Sequence, residues 1–337
     1  MDWFERLTGF REAGYADVRS RLELEGSTLR SRENGRRCRI GHFELVSLQT
    51  LRDRVAAEPV PAGRLSIRNV QGDVRRMHGE PAYAGALFQV ASQFNMLEMV
   101  SPNVTPEDGV TGYQFDRTQG PACAIAAGAA TLYRNYFAPV DGGVGQTKQR
   151  QLDGLADIGA ALSLALDRPA ESLWSMCNGY ALCTEDGLAA IGDYLRGLEP
   201  AALDALRARL RIGLHWGVEV TDVETAPGPI VSQAFCSALP VAYSGLPAPA
   251  WGPFAILVLN AAYEATLLAA LLNARAGGSR TVLLTRLGGG AFGNDDLWID
   301  AAMTRALTLA KGRGLDVELV SFGQPAPSML ALEALAD

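Results

Sequence analysis

Histidine is scarce in this chain of 337 residues: His42, His78 and His215 are the only three, and no pair has H-x-x-x-H spacing. A histidine-based metal centre is therefore not expected, and the carboxylates show no cation-binding pattern either, so no metal or cofactor is assigned. Cysteine is also sparse. Cys38, Cys123, Cys177, Cys183 and Cys236 form an odd set without a C-x-x-C pair, which argues against a disulfide framework or a zinc site and for buried thiols in a reducing compartment. No G-x-S-x-G occurs, so a nucleophile-elbow serine hydrolase is excluded. Positive charge is in deficit, with 30 Lys+Arg against 37 Asp+Glu and a net charge of −7. That balance speaks against non-specific nucleic-acid binding. It leaves room for a small phosphate-bearing ligand, because backbone amides can hold one. An uninterrupted apolar run long enough for a membrane is missing too. The most apolar stretch, Phe254 to Ala274, is broken by Asn260, Glu264 and Asn273 and reads as a buried helix, so no membrane partner is expected. The first residues lack a basic segment followed by an apolar one, so no signal peptide is read and a cytoplasmic location is expected. Repeats and low-complexity tracts are absent as well.

What is there is an ordinary globular balance, 48% hydrophobic and 20% charged. Short apolar or alternating runs at residues 64–70, 86–91, 230–236, 281–285 and 317–322 read as strands. Helical patterns at 254–273 and 297–311 separate the last three. Strand–helix–strand order implies crossovers and a mainly parallel sheet covered on both faces. Residues 1–60 read as a helix, a hairpin about Gly41 and a short helix at 51–57, which Pro59 and Pro61 end. Residues 135–225 have another texture. Leucine and isoleucine recur there at helical spacing, with one strand candidate at 212–220. The expectation is an N-terminal extension (1–60), an α/β core (61–134 and 226–337) and a mostly helical insertion (135–225).

The sharpest local signal is Leu287-Gly288-Gly289-Gly290-Ala291-Phe292-Gly293-Asn294-Asp295-Asp296, between a strand and a helix. Glycines let backbone approach a ligand closely, and a helix N-terminus adds N–H groups suited to a diphosphate. The Walker A Lys-Ser/Thr pair is missing, and the loop comes too late in the chain for a Rossmann fingerprint. A flexible turn, with Asp295 or Asp296 capping the helix, is the other reading. A second signal, Ala91 to Glu98, lies just past a buried strand, where open α/β sheets bind ligands. Gln93 and Asn95 there suit either a sugar or a capped turn. Asp73, in Gln71-Gly72-Asp73-Val74, either accepts from an adenine amino group or forms a turn. Tyr113, Phe115 and Phe292 offer stacking surfaces or ordinary packing. Residues 105–120 form a loop with Glu107, Asp108 and Asp116. Paired carboxylates are the usual equipment for breaking a glycosidic bond through an oxocarbenium-like transition state, though surface loops carry acids as a rule.

In chain order these segments resemble the macrodomain superfamily. Gln71-Gly72-Asp73-Val74 resembles its adenine-binding element, Ala91-Ser92-Gln93-Phe94-Asn95 its ribose-binding strand end, and Gly288 to Asn294 its diphosphate loop. The run Gly-Gly-Gly-Ala-Phe-Gly is close to the version in poly(ADP-ribose) glycohydrolases. Thr105-Pro106-Glu107-Asp108-Gly109 and Asp116-Arg117-Thr118-Gln119-Gly120-Pro121 are similar to a divergent branch of bacterial effector hydrolases that remove ADP-ribose from arginine of a modified protein such as ubiquitin. The Gly-Gly-Gly…Gln-Glu-Glu pattern of the glycohydrolases is absent, which turns attention to Glu107, Asp108 and Asp116.

The resemblance implies a three-layer α/β/α fold with a mixed, mainly parallel sheet, and an enzyme cleaving the N-glycosidic bond of mono-ADP-ribosylated protein. It implies that Asp73 and Val74 meet adenine, that Gln93 and Asn95 meet the distal ribose, and that Gly288, Gly289, Gly290, Ala291, Phe292, Gly293 and Asn294 wrap the diphosphate. Asp108 and Asp116, with Glu107 beside them, would supply the chemistry. An effector of this kind would work in a host cytosol. The other readings are a module that binds ADP-ribose without cleaving it and an ADP-ribose 1″-phosphate phosphatase.

Overall fold

Strands buried on both faces read as continuous apolar runs, and five such runs lie side by side here. The computed structural model describes residues 1–59 and 62–337, so Pro61 and the expected boundary at 60/61 lie outside the described residues. Seven strands among the described residues form the central sheet. We number them in chain order: β1 (His42–Ser47), β2 (Ser66–Gln71), β3 (Leu87–Ala91), β4 (Arg211–Glu219), β5 (Ile230–Cys236), β6 (Thr281–Leu284) and β7 (Asp316–Ser321). Their order across the sheet is β1-β4-β5-β3-β6-β7-β2. The five from β5 to β2 are mutually parallel, and β4 runs antiparallel to both of its neighbours. The expected mixed, mainly parallel sheet is thus present, and each expected strand lies within a residue or two of its place.

Side chains alternate between the two faces of each strand. On one face Leu87, Ala234, Cys236, Val282, Leu284, Val317 and Leu319 join a core built on α4 (Ala248–Arg275) and α5 (Asp296–Leu309). On the other, Phe88, Val90, Phe235 and Leu283 pack with residues of α1 (Val74–Gly79), α2 (Gln119–Ala126) and α3 (Gly128–Tyr136). Two cores on opposite faces of one sheet make the three layers. The broken apolar run is α4, which is buried along most of its length. Two of its three interruptions have side-chain partners: Glu264 accepts from Arg52 Nε and Arg305 Nη1, both at 2.6 Å, and Asn273 Nδ2 donates to the carbonyls of Gly85 and Ser279.

Two segments depart from the expected organisation. Residues 36–46 do not form a hairpin about Gly41. Arg37–Arg39 pairs with Thr28–Ser31 in a separate three-stranded sheet, while β1 becomes the edge of the central sheet. The strand candidate near residues 212–220 is β4, an antiparallel member of the central sheet between β1 and β5 and not a local feature of a helical insertion. The core sheet therefore draws one strand from residues 1–60 and one from 135–225. Both strands have at least one face on the core, and an isolated reading of pattern along the chain cannot say which sheet a strand joins.

Tyr263 of α4 is buried against the end of β6. Its hydroxyl donates to the Thr285 carbonyl at 2.7 Å and accepts from the Leu287 amide at 2.8 Å, tying the helix to the start of the glycine loop. Tyr263→Phe removes both bonds and leaves the Leu287 amide and the Thr285 carbonyl only their 2.9 Å bond to each other. The expected cost is about 0.5–1.5 kcal/mol, measured as a shift in the urea midpoint at unchanged slope. No loss of stability would show that this tie is not holding the loop base.

Candidate functional site

The parallel strands all end at one edge of the sheet, and there β3 and β6 part company. Their ladder holds only Val282 opposite Leu87 and Leu283 opposite Phe88, whereas β5 follows β3 to Ala91. Past that point a side chain takes the place of a strand. Gln119 Nε2 donates to the Gln89 carbonyl at 2.7 Å and its Oε1 accepts from the Ala91 amide at 2.8 Å, the two bonds a neighbouring strand would have made. Gly120 comes next and lies so close to the strand end that a Cβ there would sit 1.9 Å from the Ala91 oxygen. The sequence Thr118-Gln119-Gly120-Pro121 thus has a local reason: an amide to finish the ladder, then a residue without a side chain.

The parting opens a cavity of about 290 Å³, lined in part by Glu98, Asp116, Gln119, Tyr180, Arg286 and the glycine loop. Beside it lies a cavity of about 730 Å³ whose walls include Asp73, Val74, Arg117 and Phe322. Asp116, Thr118, Gln119 and Thr285 line both, so the two form one groove across the ends of β3, β6, β7 and β2.

The glycine loop supplies donors from its main chain. The amides of Gly289, Gly293 and Asn294 are engaged by Arg286, Gly290 and Gly288 carbonyls. Among the described residues those of Gly288, Gly290, Ala291 and Phe292 have no protein acceptor, and these same four residues line the cavity. Gly288 has φ +75°, and a Cβ there would meet Ala238 and the Asn294 amide. Gly290 faces open space. The expected contribution of a helix N-terminus is not made here. Helix α5 begins at Asp296, beyond the cavity lining, and the N-cap Asp295 already accepts from the Leu297 amide at 2.8 Å. Gly289, Gly293 and Asn294 shape the loop from behind. Asn294 is buried and donates to the Leu239 carbonyl. Phe292 packs edge-on or tilted against Tyr243 and Tyr180, with ring centroids 5.5 and 5.3 Å away.

The Ser92–Met99 loop is held by its own side chains. Gln93 accepts from the Met99 amide at 2.7 Å and donates to the Met99 carbonyl at 3.1 Å, closing the loop as a two-pronged clamp. Asn95 is fully buried, accepts from the Leu97 amide and donates to Gln151, and does not line the groove. Both amides were expected at a ribose: Gln93, although it clamps the loop, lines the smaller cavity, whereas Asn95 is spent on the loop, because a short buried turn must satisfy its own polar groups. Glu98 belongs to the cavity wall, yet its side chain is wholly withdrawn towards Arg134, whose Nη2 lies 3.3 Å from both carboxylate oxygens. Burial pushes the Glu98 carboxyl up to about 7, against the pull of Arg134. Burial likewise draws the Arg134 guanidinium down. It sits 3.8 Å above the Phe235 ring and donates to the Met96 carbonyl.

Of the three acids expected in the 105–120 loop, the structure brings one to the groove. Asp116 stands where the two cavities meet, and its Oδ1 accepts from the Thr118 amide at 2.8 Å. Asp108 lies outside both cavities. It closes a capping box with Thr105, accepting from that residue's amide and hydroxyl at 2.8 Å, and these bonds hold its carboxyl below the ordinary range. Glu107 accepts from the Lys148 amide. Asp108 serves the shape of its own turn, and Glu107 ties that turn to the segment at Lys148. Asp73 caps α1 by accepting from the Arg75 amide, and Val74 begins that helix; both line the larger cavity. Tyr113 is buried, while Phe115 is exposed and outside the groove.

Sequence reasoning passed over Gln119 as a structural element, and Tyr180 altogether. Tyr180 follows Asn178-Gly179, both at positive φ, in a hairpin of Trp174–Cys177 and Tyr180–Cys183. Asn-Gly is the strongest short hairpin signal, and it was available. This hairpin brings the middle region into the wall itself: Tyr180 donates to the Met99 carbonyl at 2.7 Å, and the Gly179 carbonyl accepts from the Phe94 amide.

Among solved structures the chain is similar to a poly(ADP-ribose) glycohydrolase from Thermomonospora curvata, at 14% identity and a TM-score of 0.43, over 95% of this chain and 94% of that one. It is similar to the same kind of protein from Deinococcus radiodurans in complex with ADP-ribose, at 12% identity and a TM-score of 0.44, over 97% and 98%. The Thermomonospora curvata protein bound to the inhibitor ADP-HPD gives 14% identity and 0.43, over 95% of each chain. No protein-family model and no curated protein sequence matches the chain.

The loop geometry separates two kinds of glycine substitution. Gly290→Val should place a side chain in the cavity with no clash inside the fold, so that any ligand held there, with ADP-ribose as the probe, would lose affinity at an unchanged melting temperature. Gly288→Val, at positive φ and against Ala238, should lower stability by about 1–3 kcal/mol. Calorimetric titration and thermal melts of both variants check this. Wild-type affinity in Gly290→Val would remove the loop from the binding site.

Proposed function

We propose that this protein is a glycosidase-type ADP-ribosyl hydrolase acting on mono-ADP-ribosylated protein, with the arginine linkage preferred. The observation that carries the reading is a coincidence of two sets. Within residues 288–294, the positions whose amides lack a protein acceptor among the described residues, Gly288, Gly290, Ala291 and Phe292, are those that line the smaller cavity, beside a carboxylate, Asp116, common to both cavities. Unpaired amides facing a cavity suit an anion such as a diphosphate. The larger cavity, with Asp73 and Val74 at its wall and the exposed ring of Phe322, suits a nucleobase. A ligand with a base at one end, a diphosphate in the middle and a sugar at the other has the form of this groove.

In this reading the bond between the anomeric carbon of the distal ribose and the guanidine nitrogen breaks first, and its electron pair leaves with the guanidine. Asp116 steadies the cationic sugar and accepts a proton as water bonds to the anomeric carbon. That proton passes to the departing guanidine, which leaves as guanidinium. An acid at this point also complements a cationic leaving group. Glu98 stays behind the wall and shapes it. The five cysteines are free thiols, four of them buried, which suits a cytosol, whether its own or a host's.

Asp116→Asn keeps the acceptor for the Thr118 amide and loses the charge. Turnover should fall by about 10²–10⁴-fold, while affinity for ADP-ribose changes little. Single-turnover release from an arginine-ADP-ribosylated protein, paired with calorimetry, measures both. Wild-type turnover in the variant would remove Asp116 from the chemistry. Tight binding with no release by the unmodified protein would favour a binding module, and no binding at millimolar ADP-ribose would end the reading.

A further inference from the structure

The segment that delivers Asp116 is a short 3-10 helix, Thr111–Phe115, and Asp116 follows it directly, its amide donating to the Tyr113 carbonyl at 3.1 Å. A helix start has amides in need of acceptors. The N-cap residue here is Val110, whose side chain cannot supply one. The acceptor comes from far away in sequence. Glu12, in the connector between Trp3–Thr8 and Tyr15–Arg21, accepts from the Val110 amide at 2.9 Å on both oxygens and from the Thr111 amide at 2.6 Å. Its carboxylate is fixed in turn by the hydroxyl of the buried Tyr136, which donates to Oε1 at 2.7 Å. The far side of the same helix is hung on the wall: the Tyr113 hydroxyl accepts from the Glu98 amide at 3.1 Å. The neighbouring turn at 106–108 is capped locally by Thr105 and Asp108.

We propose that Glu12 is a positioning residue for Asp116, so that the N-terminal region is the mount of the catalytic loop. The inference rests on the hydrolase reading above, and it adds that residues outside the groove set where the Asp116 carboxylate stands. Misplacement of a reacting group by about 1 Å costs roughly 10²-fold in rate. Binding of ADP-ribose through the glycine loop does not pass through Glu12.

The test is a split between rate and affinity in the full chain. Glu12→Ala removes every acceptor, and Glu12→Gln keeps one oxygen at the same reach. The expected single-turnover rates on an arginine-ADP-ribosylated protein fall roughly 10–100-fold for Glu12→Ala, with Glu12→Gln between it and the unmodified protein. Affinity for ADP-ribose should stay within about threefold of the unmodified protein. Hydrogen exchange at Val110 and Thr111 should quicken in the same order. Tyr136→Phe, which leaves Glu12 in place and removes its anchor, should lower the rate by a smaller factor in the same direction, and it tests the proposal should Glu12→Ala fail to fold. An unchanged rate in folded Glu12 variants overturns the proposal. So does a parallel loss of rate and affinity, which a general loosening of the fold would give. If the unmodified protein releases ADP-ribose and Asp116→Asn does not, either result counts against the role of Glu12 alone. An inactive unmodified protein counts against the hydrolase reading.

Discussion

The groove exists because a β-ladder is stopped short and finished by an amide side chain. Had β6 continued beside β3 past Phe88, there would be no opening between them, and the loops after the two strands would close over a sealed edge. Gln119 satisfies the main-chain groups that the parting would otherwise leave buried and unpaired, at little loss of hydrogen bonding. Everything that lines the smaller cavity is arranged around that substitution. Gly120 lets α2 sit on the strand end, Thr285 leaves the sheet with its amide turned to Gln89, and the glycine loop begins two residues later.

Around this gap the molecule uses buried polar groups to hold loops in shape rather than to meet ligand. Gln93 clamps its own turn, Asn95 bridges to Gln151, and Arg134 ties Met96 and Glu98 to the Phe235 face of the sheet. Such groups are costly to bury unless fully bonded, so their geometry is strict. The basic stretch at residues 30–39 shows the opposite regime. Arg30, Arg32 and Arg37 pair with Glu23 and Glu25 at partly exposed positions, where ion pairs contribute little.

The parallel core was legible because burial on two faces writes itself as apolar runs; Leu87–Ala91 and Ile230–Cys236 could scarcely be anything else. Which sheet a strand joins was not legible. β1 and β4 lie in stretches dominated by other textures, and pairing over more than 160 residues leaves no local trace. At the site, the glycine run was readable as a close-approach loop, since absence of side chains has few other uses in such a run. Asn95 and Asp108 stand away from both cavities for one shared reason. An amide or carboxylate that satisfies its own turn has the same composition and spacing as one that awaits a ligand, and only the hydrogen-bond partners tell them apart. Glu12 gave no signal, because its acceptor role is defined by residues nearly a hundred positions on.

The amides of Gly288, Gly290, Ala291 and Phe292, without a protein acceptor among the described residues, have a consequence for how this protein tolerates change. A cradle made of main-chain N–H groups holds no side chain that a substitution can remove and no group that gains or loses a proton across the ordinary pH range. In the proposed reading its recognition of negative charge is stored entirely in the path of the backbone. Chemical drift around the loop leaves that recognition intact for as long as the path survives, and a change that bends the path erases it at one stroke. Asp116, shared by both cavities, is in the proposed reaction open to silencing by the exchange of a single oxygen for nitrogen. One half of the groove is thus exposed to shape alone, the other to chemistry.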